Sequence, residues 1–118
     1  MYYIPPGQAP VKIEDRLIRP NGVQLSRDET KLYVSDSNGD HVIAWDIRPN
    51  GLVENRREFA TLKGRSSRDN GLGGIKTFAD GMAVDNDNRL YISLNEEESK
   101  EIEKLVRIGR KDATISFL

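Results

Sequence analysis

The sequence predicts an all-β chain of four-stranded antiparallel sheets set side by side, with a short helix near its C-terminus. Two observations carry the sheets. Apolar residues fall in short alternating runs, the pattern of half-buried strands, and Asn-Gly, Pro-Gly and Asp-Gly pairs punctuate those runs. A stretch of the chain then recurs. Asn21-Gly22-Val23-Gln24-Leu25-Ser26 overlies Asp80-Gly81-Met82-Ala83-Val84-Asp85, and dropping one residue from the intervening turn also brings Leu32-Tyr33-Val34-Ser35 over Leu90-Tyr91-Ile92-Ser93. Repeats spaced by about 40 to 60 residues, each worth four strands, predict a partial β-propeller of about two to two and a half blades, every blade being one small twisted sheet. A β-sandwich of short strands is the alternative, but it does not explain why the two copies begin alike.

Taken in order, Tyr2 to Ile4 is a β-prone run halted by Pro5-Pro6-Gly7, and Val11-Lys12-Ile13 alternates again before Glu14-Asp15. These read as a hairpin-like pair. Val23 to Ser26 and Leu32 to Ser35 alternate on either side of the polar turn Arg27-Asp28-Glu29-Thr30. Asn38-Gly39 offers the positive-φ residues of a tight reversal. His41 to Ile47 comes next, rich in Val, Ile and Trp; Arg48-Pro49-Asn50-Gly51 turns the chain; Leu52 to Leu62 is a more polar strand. Residues 21 to 62 therefore hold four strands with no helix between them, an up-and-down sheet. Arg65 to Lys76 carries Asn70-Gly71 and Gly73-Gly74 and reads as a loop longer than the usual connection.

After Ser93 the character changes. From Leu94 to Arg107 acidic residues lead and basic ones come after, Glu96/Lys100 and Glu103/Arg107 form i,i+4 pairs, and Asn95 and Gly109 are suitable caps. A helix is expected here. The rival is a hairpin of Leu105 to Ile108 with Thr114 to Leu118 around Gly109-Arg110-Lys111-Asp112, which a second blade would need.

At 118 residues and 13.3 kDa the chain fits one domain, too short to complete a propeller alone. Lysine plus arginine number 18 against 19 aspartate plus glutamate, a formal charge of −1 that provides no field to gather phosphates, so nucleic-acid binding is not expected. The chain has no cysteine, which excludes disulfides, thiolate metal sites and cysteine nucleophiles, and fits a reducing cytoplasm. No stretch approaches the roughly 20 apolar residues of a membrane helix, and the N-terminus is too short and uncharged for a signal peptide. The expectation is a soluble cytoplasmic protein with no membrane partner.

Four stretches carry a resemblance: Tyr2-Tyr3-Ile4-Pro5-Pro6-Gly7, Arg19-Pro20-Asn21-Gly22-Val23-Gln24-Leu25-Ser26, Leu32-Tyr33-Val34-Ser35-Asp36 and Ala79-Asp80-Gly81-Met82-Ala83-Val84-Asp85. With their spacing they cover residues 2 to 93 and resemble the senescence marker protein, gluconolactonase and luciferin-regenerating enzyme family, the regucalcin-like group. Its members are six-bladed propellers that hydrolyse sugar lactones and related esters with one divalent metal in the central channel. The resemblance implies that residues 1 to 18 are the last strands of a preceding blade, 19 to 64 one full blade, 65 to 76 a loop, and 77 to 118 the start of the next blade with a divergent end.

It also implies a site. Residues opening successive inner strands of a propeller converge near its axis, and Asn21 and Asp80 occupy equivalent places there. An amide oxygen and a carboxylate are hard ligands suited to Ca²⁺ first, and compatible with Mg²⁺, Zn²⁺ or Mn²⁺. The glycine after each lets the backbone approach closely. By the resemblance Asn21 binds the metal, and Asp80 binds it and is the general base that activates water. The family's glutamate ligand and further substrate contacts come from earlier blades, which this chain does not supply. Two oxygens alone are a poor site for an ion that takes six to eight.

Other motifs carry less. Arg48-Pro49-Asn50-Gly51 repeats the tetrapeptide at Arg19 to Gly22, but no repeat unit succeeds it, so it reads as a turn. Asp36-Ser37-Asn38-Gly39-Asp40 fails as a calcium loop, with His41 at the sixth place and Ile47 at the twelfth. Asp85-Asn86-Asp87-Asn88 is a connecting turn. His41, the lone histidine, has no G-x-S-x-G elbow to serve, Trp45 packs with Ile43 and Ile47, and Gly71 to Gly74 lacks the Gly-Lys-Ser/Thr of a phosphate loop. Two functions from different classes are compatible with these residues: a piece of a metal-dependent sugar-lactone hydrolase, or a catalytically silent β module whose open blade faces favour association, including a homo-oligomer of three copies closing one ring.

Overall fold

The computed structural model describes residues 1–14, 16–62, 79–94, 104–108 and 115–117. Among the described residues ten strands succeed one another in chain order: β1 (Tyr2–Tyr3), β2 (Val11–Lys12), β3 (Pro20–Leu25), β4 (Lys31–Asp36), β5 (His41–Ile47), β6 (Val53–Thr61), β7 (Ala79–Val84), β8 (Leu90–Leu94), β9 (Lys104–Ile108) and β10 (Ile115–Phe117). They form an antiparallel β1-β2 pair and two four-stranded antiparallel sheets, β3-β4-β5-β6 and β7-β8-β9-β10, each in simple sequential order. The described residues include no helix, and none is long and apolar enough to cross a membrane.

Alternation along the strands divides the first sheet into two apolar faces. Tyr33, Val42, Ala44 and Ala60 point to one side with Leu62, and there they meet Leu90 and Ile92 of the second sheet, with Phe59, Met82 and Val84 packed around them. Leu90 and Ile92 are fully buried. Each contributes about 1.5–3 kcal/mol to holding the sheets together. Val34, Ile43 and Trp45 point the other way and are covered by Met1, Leu17, Leu32 and Val53.

That second face is closed only in part. The N-terminal segment is tied down by Glu14, whose buried carboxylate accepts from Arg56 Nε of β6 at 2.6 Å and from Arg16 Nε at 3.0 Å, while the terminal ammonium donates to the Glu14 carbonyl at 2.8 Å. The inner half of the face stays open, with Val23 59% and Leu25 38% exposed. A cleft of about 730 Å³ lies there, lined by Tyr2, Tyr3, Val23, Leu25 and Leu32, with Asn21 also on its wall.

The turns joining first to second strands match in both sheets. Glu29 N–H donates to Ser26 O and Asn88 N–H to Asp85 O, and both Glu29 (φ 60°) and Asn88 (φ 59°) are left-handed. The single residue dropped from the repeat is absorbed in this turn. Asn88 Oδ1 also accepts from Arg27 N–H at 2.9 Å, linking the two turns.

Two expectations are corrected. Residues 104 to 108 are strand, not the end of a helix: β9 pairs with β8 from Leu90↔Ile108 to Leu94↔Lys104 and with β10 from Ile115↔Ile108 to Phe117↔Val106. The hairpin alternative is the one observed, because pairing along two neighbours outweighs i,i+4 ion pairs of about 0.3–0.5 kcal/mol. Residues 95–103 lie outside the described residues, as does the 65–76 loop. The reversal at Asn38-Gly39 uses no positive φ. Asp36 holds it instead, its carboxylate accepting from Asn38 N–H at 3.1 Å and its carbonyl from Gly39 N–H at 3.1 Å.

Candidate functional site

Asn21 and Asp80 each sit in a β-bulge, at the same place in their sheets. On β3, Pro20 pairs with Asp36 and Val23 with Val34, so Asn21 and Gly22 together stand opposite Ser35. On β7, Ala79 pairs with Leu94 and Met82 with Ile92, so Asp80 and Gly81 stand opposite Ser93. Two residues facing one break the pleat and re-aim the extra side chain, which is how bulges serve sites at sheet edges. The repeat seen in the sequence is therefore a repeat of backbone geometry as well as of residue type.

The two bulges touch. Gly22 N–H donates to Ser35 Oγ at 3.0 Å, and Ser35 Oγ donates to the Asp80 carbonyl at 3.1 Å, so one buried hydroxyl joins both inner strands. Gly22 is required at this contact, because a Cβ there would collide with the Asp80 carbonyl oxygen and with Ser35 Oγ. In the second sheet Ser93 Oγ donates to the Gly81 carbonyl at 3.4 Å. Asn21 Nδ2 donates to Ser37 Oγ at 3.0 Å, which turns the nitrogen of the amide toward the turn after β4. Asn21 is exposed and Asp80 half-buried.

Sequence reasoning named Asn21 and Asp80 but passed over Ser35 and Ser37. The signal available was the match of Ser35 with Ser93 at the end of the second strand of each repeat. The other tetrapeptide, Arg48 to Gly51, is a turn: Gly51 N–H donates to Arg48 O at 2.8 Å, Gly51 has φ 85°, and the ring of Tyr3 lies against it. His41 lies on β5, the third strand, with Nδ1 2.6 Å from Asp40 and Nε2 3.3 Å from Glu58. Asp36 clamps the entry to β3, accepting from Ile18 N–H at 2.7 Å and Arg19 N–H at 2.8 Å.

At the far end of the inner strands, the turn carboxylates are strongly acidic. Hydrogen bonds from the Ser26 hydroxyl first, then from Thr30, lower Asp28 to about 2. Burial pushes the Asp85 carboxyl up, but hydrogen bonds from Arg89, Asp87 N–H and the Tyr91 hydroxyl outweigh it and hold Asp85 well below the usual carboxylate range. These carboxylates are engaged in fixing turns. Among the described residues no three His, Asp or Glu side chains converge as a metal cluster. By donor chemistry an Asn21 amide oxygen and an Asp80 carboxylate, on abutting strands, are of the hard oxygen type that a divalent cation takes, two of the roughly six to eight that Ca²⁺ needs.

A profile described as the SMP-30/Gluconolactonase/LRE-like region matches residues 1–117. The chain belongs to this family. Among SMP-30/gluconolactonase/LRE-like relatives, a protein of Zymomonas mobilis subsp. mobilis named gluconolactonase is 39% identical over 83 residues, 69% of this chain and 22% of its own length. A solved luciferin-regenerating enzyme superposes with a TM-score of 0.72 at 19% identity, over 99% of this chain and 34% of that one. A Xanthomonas campestris gluconolactonase does so with a TM-score of 0.68 at 26% identity, over 98% and 32%. The chain thus spans about a third of the length of these solved structures, and its fold is a section of theirs.

Proposed function

We propose that this chain is a section of a metal-dependent hydrolase of sugar lactones, with Asn21 and Asp80 as donors to one divalent cation, Ca²⁺ first and Mg²⁺, Zn²⁺ or Mn²⁺ next. The observation that carries the reading is the matched pair of bulges joined through Gly22, Ser35 and the Asp80 carbonyl. In both sheets the register shifts at the same place on the inner strand, and the residue there is an amide in one and a carboxylate in the other, which supports the reading. Membership of the family and the 39% identity to a protein named gluconolactonase support the choice of sugar lactones as the substrate class. On this reading β1-β2 are the outer strands of a preceding sheet, and the two four-stranded sheets are successive blades of a ring.

In the reaction, water adds to the lactone carbonyl carbon while the Asp80 carboxylate accepts its proton. Collapse of the tetrahedral species breaks the ring C–O bond, and the proton passes to the departing ring oxygen to give the hydroxy acid. A divalent cation, when bound, polarises the carbonyl and offsets the negative charge that develops on its oxygen. Asn21 orients, its amide held by Ser37. The test is hydrolysis of gluconolactone with each of the four cations added, for the wild type and Asp80→Ala. Equal rates would end the enzymatic reading for this chain.

A second reading has its own observation. The cleft beside β1 and the exposed Val23 and Leu25 leave an apolar half-face on the first sheet. Burying it favours association with another β surface, including copies of this chain. Light scattering decides: a strict monomer removes the homo-oligomer.

A further inference from the structure

We propose that Ser35 and Ser37 are positioning residues that set the geometry of the Asn21/Asp80 pair. The inference rests on the reading of those two residues as cation donors and names what holds them. Ser35, at the end of β4, and Ser37, in the turn just after it, are both buried and lie two residues apart beside the same bulge. Their hydroxyls do different work. Ser35 Oγ accepts from Gly22 N–H at 3.0 Å and donates to the Asp80 carbonyl at 3.1 Å, so it fixes the spacing of the two backbones. Ser37 Oγ accepts from Asn21 Nδ2 at 3.0 Å, so it fixes the orientation of the amide.

The chemistry makes the second contact decisive. An amide has one oxygen suited to a hard cation and one NH₂ that repels it, and the two are exchanged by a half-turn about a broad, two-fold torsion. Anchoring the NH₂ on a buried hydroxyl selects one of the two orientations of the amide. The first contact sets a distance. A bulge loosens the ladder, so without Ser35 the Gly22 amide and Asp80 carbonyl would have no shared partner at the junction of the sheets. Groups that orient first ligands in this way typically change metal affinity about 10- to 100-fold when removed.

The experiment uses the 118-residue chain and Mn²⁺, whose paramagnetism broadens nearby backbone amide signals even when binding is weak. In the wild type, broadening centres on residues 21–22 and 80–81, and Asp80→Asn removes it. Ser37→Ala lowers the apparent Mn²⁺ affinity by about 10-fold, and Ser37→Thr, which keeps the hydroxyl, restores it. Ser35→Ala raises hydrogen exchange at the Gly22 amide without any metal present, and lowers Mn²⁺ affinity with it; if this variant fails to fold, the Ser37 pair carries the test. Wild-type binding left unchanged by Ser37→Ala overturns the positioning role alone. Absence of site-centred broadening in the wild type overturns the donor reading and the positioning role together.

Discussion

Ser35 joins Asp80 across two sheets: its hydroxyl, with no solvent exposure, donates to the Asp80 carbonyl at 3.1 Å while accepting Gly22 N–H at 3.0 Å. Removing that oxygen takes the side-chain acceptor from the buried Gly22 N–H and a donor from the Asp80 carbonyl. Ser35→Ala should therefore destabilise the fold by about 1–3 kcal/mol. Urea unfolding measures it, and an unchanged midpoint would contradict the bridge.

Gly22 and Gly81 are equivalent in the repeat but not in their surroundings. A Cβ at Gly22 meets the Asp80 carbonyl and Ser35 Oγ, whereas one at Gly81 meets nothing within 4 Å among the described residues. Gly22→Ala should cost about 1–3 kcal/mol by forcing the sheets apart. Gly81→Ala should stay within about 0.5 kcal/mol. Thermal melts of the two variants side by side would separate them.

Asp80 is half-buried, and Asp80→Asn keeps the shape of the side chain while removing its charge. Asp80→Asn should leave stability within about 0.5 kcal/mol while abolishing cation-dependent hydrolysis of sugar lactones. Melting curves and lactone assays on one preparation check both halves. A variant that keeps full cation-dependent turnover would remove Asp80 as the base.

Asp28 is held at about 2 against an ordinary 3.8, by the Ser26 hydroxyl first and then by Thr30. Asp46 is held at about 2 as well, through Lys31 and then Asn55. A carboxyl whose folded value lies below its unfolded one stabilises the fold above the unfolded value, and that contribution is lost as pH falls through the folded one. Stability should therefore drop as pH falls from about 4 to about 2. Asp28→Asn should make that drop shallower in a series of urea midpoints.

Glu14 separates two arginines that look alike in sequence. Its side chain is buried, Arg56 beside it is 25% exposed, and Arg16 is 66% exposed. Arg56→Met would remove the better shielded of the two guanidinium partners from a buried carboxylate, at a cost of about 3 kcal/mol. Arg16→Met should cost under about 1 kcal/mol. Comparable losses for both would mean that Glu14 does not tie the N-terminal hairpin to β6.

The sequence by itself determined the strand class, the two repeat units and the pair Asn21 and Asp80, because these depend on period-2 alternation and on a match of residue types along the chain. It could rank the two Arg-Pro-Asn-Gly stretches only through their downstream residues, Val23 to Ser26 in one case and Leu52 to Asn55 in the other. Tertiary structure decided the rest. Whether Lys104 to Ile108 is helix or strand turned on pairing with β8 and β10, contacts that local charge spacing cannot see. The bulges needed register: only when Pro20 is set against Asp36 and Val23 against Val34 does Ser35 face Asn21 and Gly22 together. Ser35 and Ser37 read as ordinary strand and turn residues until a second sheet brings the Asp80 carbonyl to Ser35, since a hydroxyl's role is set by which polar groups the fold carries within about 3 Å of it.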